Sequence, residues 1–407
     1  MIDENLLIEI VTEELPPLSQ KQLGESFGKY IFDGLSHHKL NTSSDFEIFS
    51  TPRRLGVKIT KVLSEGKTEK KLIKLMPKKI GFDANGNAQQ ALIKKLESIG
   101  NKKSSLSEII TKEDNLYIEK NIVGKKLHEI IEGLILDSLI KLPIKKVMTY
   151  QLSDGWETVN FVRPAKNLVI LHGSELINAT VLGIKSTRTT IGHRFESKNK
   201  IIDLAHSNDY EEKILKEGNV IASFEKRKKF IQNTINLRTQ SLKKNVLPVC
   251  DDSLLEEVTA LVEMPNILIG EFESKYLDVP QECLILTMKS NQKYFPIIDS
   301  NNKITNQFLI VSNLTPVDPK IIIEGNEKVI RPRLADAEFF FKQDKKNTLL
   351  EMSHKLDKII YHSKLGSQSD RAKRVAKIHR HIYNEQAIGD FKDFDRIALL
   401  AKADLVS

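Results

Sequence analysis

Cationic and aromatic side chains are interleaved in one stretch of the sequence, Thr287–Phe341. Its apolar runs Tyr294–Ile298 and Phe308–Val311 have strand length. The mixed side chains are Lys289, Lys293, Tyr294 and Phe295, then Lys328, Arg331, Arg333 and Phe339–Phe341. Cations hold phosphates and rings stack on bases or ribose, so the mixture is typical of an RNA-binding surface. Half-buried strands with core rings and solvated cations look the same, so both interpretations stay open.

Arginine is scarce, with 13 residues among 62 cations, so its placement carries more information than that of lysine. Six arginines lie in predicted turn-like segments beside proline, histidine or aromatic residues: Arg53, Arg54, Arg163, Arg194, Arg331 and Arg333. The planar guanidinium suits phosphate or carboxylate, although an ion pair within the protein is an equally good explanation. Lysines such as Lys70, Lys71, Lys78 and Lys79 are weaker evidence, because lysine, asparagine and isoleucine abound throughout.

The sequence has none of the usual motifs of phosphate-cradling loops or of serine hydrolases. His193 in Gly192–Phe195 has no second ligand at metal spacing, and the two cysteines have none either. The nearest approach to a metal site is His379 and His381 with Asp404. An HD-type phosphohydrolase needs an adjacent His-Asp pair, and Ala403 stands where that histidine is required. We therefore predict no catalytic residue and no metal site in this chain.

Composition points to an ordinary globular protein, with 40% hydrophobic and 29% charged residues. No apolar run reaches the roughly 18 residues that span a bilayer, and the acidic N-terminus does not fit a signal peptide. We expect a cytoplasmic protein without membrane attachment. The net charge of +8 and the pI near 9.1 favour an anionic partner.

The predicted elements indicate an α+β, multi-domain fold. Near the N-terminus they are a buried strand Leu6–Val11, a helix over Leu18–Lys39, and strands Phe46–Phe49 and Gly56–Val62; later come an amphipathic helix Lys126–Leu142 and a strand Leu168–Leu171. After Phe341 the pattern becomes all-helical. The sequence stops inside an amphipathic helix at Ala401–Ser407 without a cap, so we expect it to be part of a longer protein.

A series of short motifs in a fixed order carries a family resemblance. The motifs are Ile8–Pro17, Thr51–Leu55, Phe161–Pro164, Leu182–Ile184, Gly192–Phe195, Leu254–Val258, Thr287–Lys289, Gln292–Pro296, Gly325–Val329 and Arg331–Phe341. Each is modest evidence alone, but in this order they make the chain resemble the β subunit of the bacterial two-subunit glycyl-tRNA synthetase. The resemblance runs from about Leu6 to the last residue.

The resemblance implies a domain organisation. Residues 1–160 would form an N-terminal α+β body, and residues 161–341 an α+β region similar to the B3/B4 domain of phenylalanyl-tRNA synthetase. Residues 342–407 would begin an all-helical, HD-like domain, incomplete here, and the family's C-terminal anticodon-binding domain would be absent. Ala403-Asp404 fits a helical scaffold whose hydrolase site is degenerate.

The resemblance also implies a division of labour. The α subunit would carry the class II catalytic core and use ATP and Mg²⁺, while this β subunit would bind no cofactor and would hold tRNA-Gly within an α2β2 heterotetramer. From charge and turn context we predict tRNA contacts at Arg53, Arg54, Lys289, Lys293, Arg331 and Arg333. Arg331 and Arg333 could instead pin Ala335–Phe341 to the fold. A stand-alone HD-type or editing-type hydrolase, and a non-catalytic scaffold, are the alternatives.

Overall fold

The apolar run near the N-terminus forms a strand that is buried on both faces. In the computed structural model every residue from Leu6 to Thr12 is buried, as expected of a strand covered on both sides. The structure describes residues 3–42, 45–83, 86–99, 103–152, 154–242, 245–386 and 393–407.

The elements follow in chain order. Up to residue 216 they are β1 (Asp3–Thr12), α1 (Pro17–His37), β2 (Phe46–Thr51), β3 (Arg54–Leu63), β4 (Glu69–Pro77), α2 (Lys78–Gly81), α3 (Gln90–Ser98), β5 (Ile109–Lys112), β6 (Asn115–Ile122), α4 (Leu127–Ile140), β7 (Met148–Gln151), β8 (Thr158–Phe161), β9 (Ala165–His172), β10 (Glu175–Leu176), β11 (Thr180–Val181), β12 (Ile184–Lys185), β13 (Thr189–Ile191), β14 (Ile201–Asp203) and α5 (Tyr210–Lys216). The later elements are α6 (Phe224–Gln240), β15 (Leu247–Pro248), α7 (Asp252–Thr259), β16 (Asn266–Glu271), α8 (Gln281–Thr287), β17 (Phe295–Ile298), β18 (Ile304–Ser312), α9 (Lys320–Asp344), α10 (Leu349–Ser353), β19 (Ile360–His362), β20 (Gly366–Ser367), α11 (Gln368–Gln386) and α12 (Phe394–Leu400).

The chain divides into two compact units. The first unit comprises Met1–Ile231, Leu255–Asn266 and Asn313–Thr315. The second unit comprises Gln232–Leu254, Ile267–Ser312 and Pro316–Ser407. The predicted division into residues 1–160, 161–341 and 342–407 concerns family domains and stays a prediction.

The first unit is organised around an antiparallel sheet in the order β10-β9-β1-β3-β2, with β1 at its centre. Leu6, Ile8 and Ile10 of β1 belong to the core that the sheet shares with α1 and α4. Leu7 belongs to a second core with residues from β9 and α5. The side chains of a strand alternate between the two faces of its sheet, so Glu9 shares the second face with Leu7.

A lysine-rich module of the first unit, Lys67–Val123, begins and ends at a neck formed by Gly66 and Gly124. The N–H of Gly66 donates to the carbonyl of Lys125 at 3.0 Å, and that of Leu127 to the carbonyl of Ser64 at 2.9 Å. A Cβ on Gly124 would lie 1.9 Å from the carbonyl oxygen of Gly66, so this neck requires glycine. Beyond the neck the module forms a three-stranded antiparallel sheet in the order β4-β6-β5, on which α3 packs.

The second unit contains an antiparallel sheet in which β17 pairs with β15 and β18, and β16 lies beside β18. Its apolar core takes side chains from β18, α8 and the long helix α9, including Phe308, Leu284, Ile330 and Leu334. The two strands predicted in the cation-rich stretch are confirmed as β17 and β18.

The predicted N-terminal α+β pattern is confirmed by β1, α1, β2 and β3, and the helix predicted over Lys126–Leu142 is α4. Two predictions are wrong. Arg331 and Arg333 lie within α9 and not in a turn; Pro332 between them lies inside the helix. The segment after Phe341 is not all-helical, because β19 and β20 pair with each other, and Gly366, the first residue of β20, has a φ of +85°. Left-handed backbone of this kind favours glycine.

The HD-like character of residues 342–407 stays a prediction. Within the described part of the chain, no helix has the length and apolarity needed to cross a bilayer.

We predict that Gly124→Ala destabilises the first unit by about 1–3 kcal/mol, because the added Cβ overlaps the neck and the backbone must move. Gly133→Ala is the matched control. That exposed glycine lies inside α4, where an added Cβ would meet nothing within 4 Å, so alanine should stabilise the helix by about 0.5–1 kcal/mol. Urea unfolding followed by circular dichroism tests both, and equal effects would contradict the tight neck.

Candidate nucleic-acid interface

The turn that carries Arg53 and Arg54 is fixed by backbone hydrogen bonds to the end of β1 and the chain after it. The N–H of Thr12 donates to the carbonyl of Arg53 at 2.7 Å, and that of Leu15 donates to the carbonyl of Pro52 at 2.6 Å. Because Arg54 begins β3 beside the central strand, its side chain enters the interior.

Arg54 is fully buried, with 0% of its surface exposed. Its Nη1 donates to Glu9 Oε1 at 2.8 Å, and its Nη2 pairs with Glu263 Oε1 at 3.2 Å. Its Nε donates to Thr51 Oγ1 at 3.1 Å. The prediction that Arg54 contacts RNA is therefore dropped: the guanidinium is enclosed by protein partners.

The carboxylates around Arg54 accept further hydrogen bonds from neighbouring side chains. Glu9 accepts from Tyr210 Oη at 2.5 Å and from the hydroxyl of Thr190, and Glu263 accepts from Thr51 Oγ1 at 2.7 Å. Burial disfavours the charge of Arg54, yet Glu263 and Glu9 raise its pKa above the ordinary value. Burial opposes ionisation of Glu263 too, but Arg54 and Thr51 hold its pKa below the ordinary value. The cluster is thus a charged, internally paired unit.

Arg53 differs from Arg54 because its guanidinium is not fully hydrogen-bonded within the protein. The side chain is half-buried, and its Nε and Nη1 are shielded from solvent without a hydrogen-bond partner. Arg53 lies close enough to Glu263 to lower the pKa of that carboxyl. Contact of Arg53 with RNA stays a prediction.

His193 shapes the Gly192–Phe195 turn. It is 2% exposed, and its Nδ1 accepts from the backbone N–H groups of Phe195 at 3.3 Å and Glu196 at 3.1 Å. An Nδ1 that accepts leaves the ring proton on Nε2, which is buried without a partner. The histidine therefore organises a turn. Among the described residues no group of three or more histidine, cysteine or acidic side chains could hold a metal.

A cavity of about 460 Å³ opens beside these turns, within the first unit. Its lining includes Pro52, Arg163 and Arg194, together with Glu13 and Glu14. Arg163 donates its Nε to the carbonyl of Glu14 at 2.8 Å, and Glu13 pairs with Lys166 at 3.2 Å. The mixed charges do not make this cavity a phosphate site.

In the second unit, the aromatic rings at the start of the cation-rich stretch are core. Tyr294 and Phe295 are buried, and the ring of Tyr294 stacks on Phe308 with centroids 4.8 Å apart. Burial raises the pKa of Tyr294 to about 12. Tyr294 and Phe295 are therefore core residues and not part of an RNA-binding surface, whereas Phe339 and Phe340 are 56% and 61% exposed.

The predicted cations of the second unit do not form one free cluster. Lys289 forms an ion pair with Asp251, and this hydrogen bond, with one from the N–H of Leu254, lowers the pKa of Asp251 to about 2. Arg331 pairs with Glu273 at 2.5 Å, consistent with its proposed role in pinning α9. Lys293 has left-handed backbone, with φ of 59°, and Arg333 is exposed. RNA contact by these four residues stays a prediction.

Glu9 and Glu263, the partners of Arg54, were not anticipated. A signal existed for Glu9, because it interrupts the apolar run Leu6–Val11. A buried charge requires a partner. No comparable signal marks Glu263, which lies 209 residues from Arg54.

Comparison with known proteins assigns the family. Residues 6–407 match the family model of the glycyl-tRNA synthetase beta subunit. The chain belongs to this family. Proteins named glycine–tRNA ligase beta subunit match throughout: that of Janthinobacterium sp. (strain Marseille) is 45% identical, covering 100% of this chain and 59% of the relative. Those of Methylobacillus flagellatus and Nitrosomonas europaea are each 44% identical, covering 99% and 100% of this chain and 59% and 58% of the relatives.

The chain thus spans somewhat less than two thirds of the length of these glycyl-tRNA synthetase beta subunits. The family resemblance drawn from the ordered motifs is confirmed, and the chain is a member of an aminoacyl-tRNA synthetase subunit family.

In this family member, Arg54→Met should destabilise the first unit by about 3–5 kcal/mol, because two buried carboxylates lose their countercharge. The exposed pair of Arg331 with Glu273 supplies the control: Arg331→Met should cost at most about 1 kcal/mol. Denaturant unfolding measures the stability of both variants. A loss of stability in Arg54→Met no larger than that in the control would refute the inference that Arg54 stabilises the two buried carboxylates.

Lys289→Met should raise the pKa of Asp251 from about 2 towards its ordinary value of 3.8, since the lysine provides the strongest stabilisation of the carboxylate. The lowered pKa means that the pair stabilises the fold above about pH 4 and loses this effect as the pH falls towards 2. NMR titration of the carboxyl carbon measures the shift. Lys293→Met is the control, and an unshifted Asp251 in both variants would show that Lys289 is not paired in solution.

Proposed function

We propose that this chain binds tRNA-Gly and positions its acceptor end for ATP-dependent glycylation by a separate catalytic α subunit. The match of residues 6–407 to the glycyl-tRNA synthetase beta subunit family carries this proposal. The designation of the relatives as beta subunits supports a partner of a different kind.

The proposed mechanism is positional. Lysine and arginine side chains hold the tRNA backbone, and a held substrate reaches the partner's site without the entropic cost of a second encounter. The proposal assigns the activation of glycine with ATP and Mg²⁺ to the α subunit and assigns no cofactor to the present chain. The proposal also places this chain in the cytoplasm, in an α2β2 assembly with the α subunit.

The six residues predicted to contact tRNA are not equally available to bind it. Arg54 is enclosed, and Lys289 and Arg331 already have carboxylate partners. Arg333 is the better candidate of the six, because it is exposed, whereas Arg53 is half-buried and its two nitrogens without a partner are shielded from solvent.

The internal pairing of three predicted contacts favours a second candidate, a scaffold that binds the α subunit and touches RNA little. The two proposals differ in one property, the affinity of the chain itself for tRNA.

The test is glycylation of a tRNA-Gly transcript by purified α subunit, with and without this chain, together with tRNA binding in the same samples. We expect the chain alone to form no glycyl adenylate, to bind the transcript, and to raise charging when added to α. Binding without increased charging would assign tRNA binding to this chain and the positioning step to the additional length of the relatives. Association with α without tRNA binding would favour the scaffold.

A further inference from the structure

Positive charge is concentrated in the lysine-rich module. Lys67–Val123 contains 12 lysines and seven acidic residues, so these 57 residues carry +5 of the chain's net +8. The other 350 residues together carry +3. General enrichment in lysine would spread the charge more evenly, so the module requires a more specific explanation.

The small sheet of the module has one covered face and one open face. Leu75, Leu116 and Ile118 point to the covered face and form a core with Leu92 and Leu96 of α3. Since side chains alternate along each strand, the residues between them point the other way. The open face therefore carries Lys70, Leu72 and Lys74 from β4, Tyr117, Glu119 and Asn121 from β6, and Ile110 and Lys112 from β5.

Two observations support this assignment of the open face. Lys70 Nζ lies 3.3 Å from Glu119 Oε2, which places these two side chains on the same side of neighbouring strands. Leu72 and Ile110 are each 40% exposed, although each lies between residues of a regular sheet. The face is thus open to a partner in the described part of the module.

Tyr117 lies at the centre of the open face. It belongs to the middle strand, where it is directly opposite Lys74 of β4 and Ile110 of β5. Lys112 is two residues from Ile110 and on the same face. The half-buried Tyr117 thus lies on the middle strand, with Lys74 on one neighbouring strand and Lys112 on the other, and neighbouring strands are about 4.8 Å apart.

We propose that this face binds a single-stranded segment of RNA, with one base stacked on Tyr117 and the flanking phosphates held by Lys74 and Lys112. An aromatic ring on the middle strand of a sheet, bordered by cations, provides base stacking and charge neutralisation together. An acidic protein surface would use the lysines but would not need the ring. The inference rests on the proposed function, since it assigns part of the tRNA affinity to a defined surface.

Charge reversal on the two sides of the module tests the proposal in the full chain. Lys74→Glu/Lys112→Glu changes the open face, and Lys94→Glu/Lys95→Glu makes the same charge change on α3, which packs against the other face. All four lysines are exposed, so neither variant removes core packing. Affinity for a fluorescent tRNA-Gly transcript is measured over a salt series, with circular dichroism to verify folding.

We expect the open-face variant to bind at least about tenfold more weakly, with the slope of log K against log salt reduced by roughly 1 for each phosphate that is no longer held. The α3 variant should remain within about threefold of the unmodified chain. Its lysines lie on the helix that covers the other face of the sheet, and salt largely screens interactions between exposed charges that are more than about 10 Å apart. Tyr117→Ala should weaken binding about tenfold and Tyr117→Phe should restore it, since phenylalanine keeps the stacking ring.

Equal losses in the two charge variants, or no loss in either, would overturn the assignment of this face. Unchanged RNA affinity with lost binding of the α subunit would overturn it too and make the face a protein-docking surface. An unmodified chain that does not bind the transcript would refute the proposed function itself, whereas strong binding by both the parent and the open-face variants would refute this proposal alone.

Discussion

The first unit depends on the burial of one guanidinium between two carboxylates. Arg54 links Glu9 on the central strand to Glu263, and it donates to the carbonyl of Ile191 at 3.1 Å. Removing three charges from water is costly, and the cost is offset only when each charge has close partners of opposite sign. The cluster therefore fixes which distant segments of chain must meet: β1, the β2–β3 turn, the end of β13 and the segment after α7.

A second buried arginine holds the same neighbourhood by different means. Arg227 donates to the carbonyls of Ile221 at 2.6 Å, Ser50 at 2.8 Å and Thr259 at 3.1 Å, without a directly bonded carboxylate. Burial therefore lowers its pKa to about 9. The carbonyl groups that end β2 and α7 gain a donor in this way. Two of the chain's 13 arginines thus serve the interior of the first unit.

This use of charge changes the interpretation of the net +8. The motifs from which the family resemblance was drawn include Thr51–Leu55 and Gly192–Phe195, and both contain turns held around the buried cluster. Lys289 and Arg331, in other motifs of that series, pair with acidic residues of the second unit. The lysine-rich module, which contributes none of the ordered motifs, is where exposed cations accumulate. The buried charges that hold the first unit together and the largest concentration of net positive charge thus lie in different parts of the sequence.

The sequence by itself determined the elements whose hydrophobic pattern is regular, such as β1, α1 and α4, and the ordered motifs determined the family. It could not determine the direction of Arg54, because a guanidinium beside a turn fits a buried ion pair as well as a surface. The decisive partner, Glu263, is 209 residues away. Nor could it separate Tyr294 in the core from Tyr117 on an open sheet face, since each tyrosine lies within or directly before a short apolar run with lysines nearby. Those choices depend on which face of each strand another layer covers, and only tertiary packing decides that.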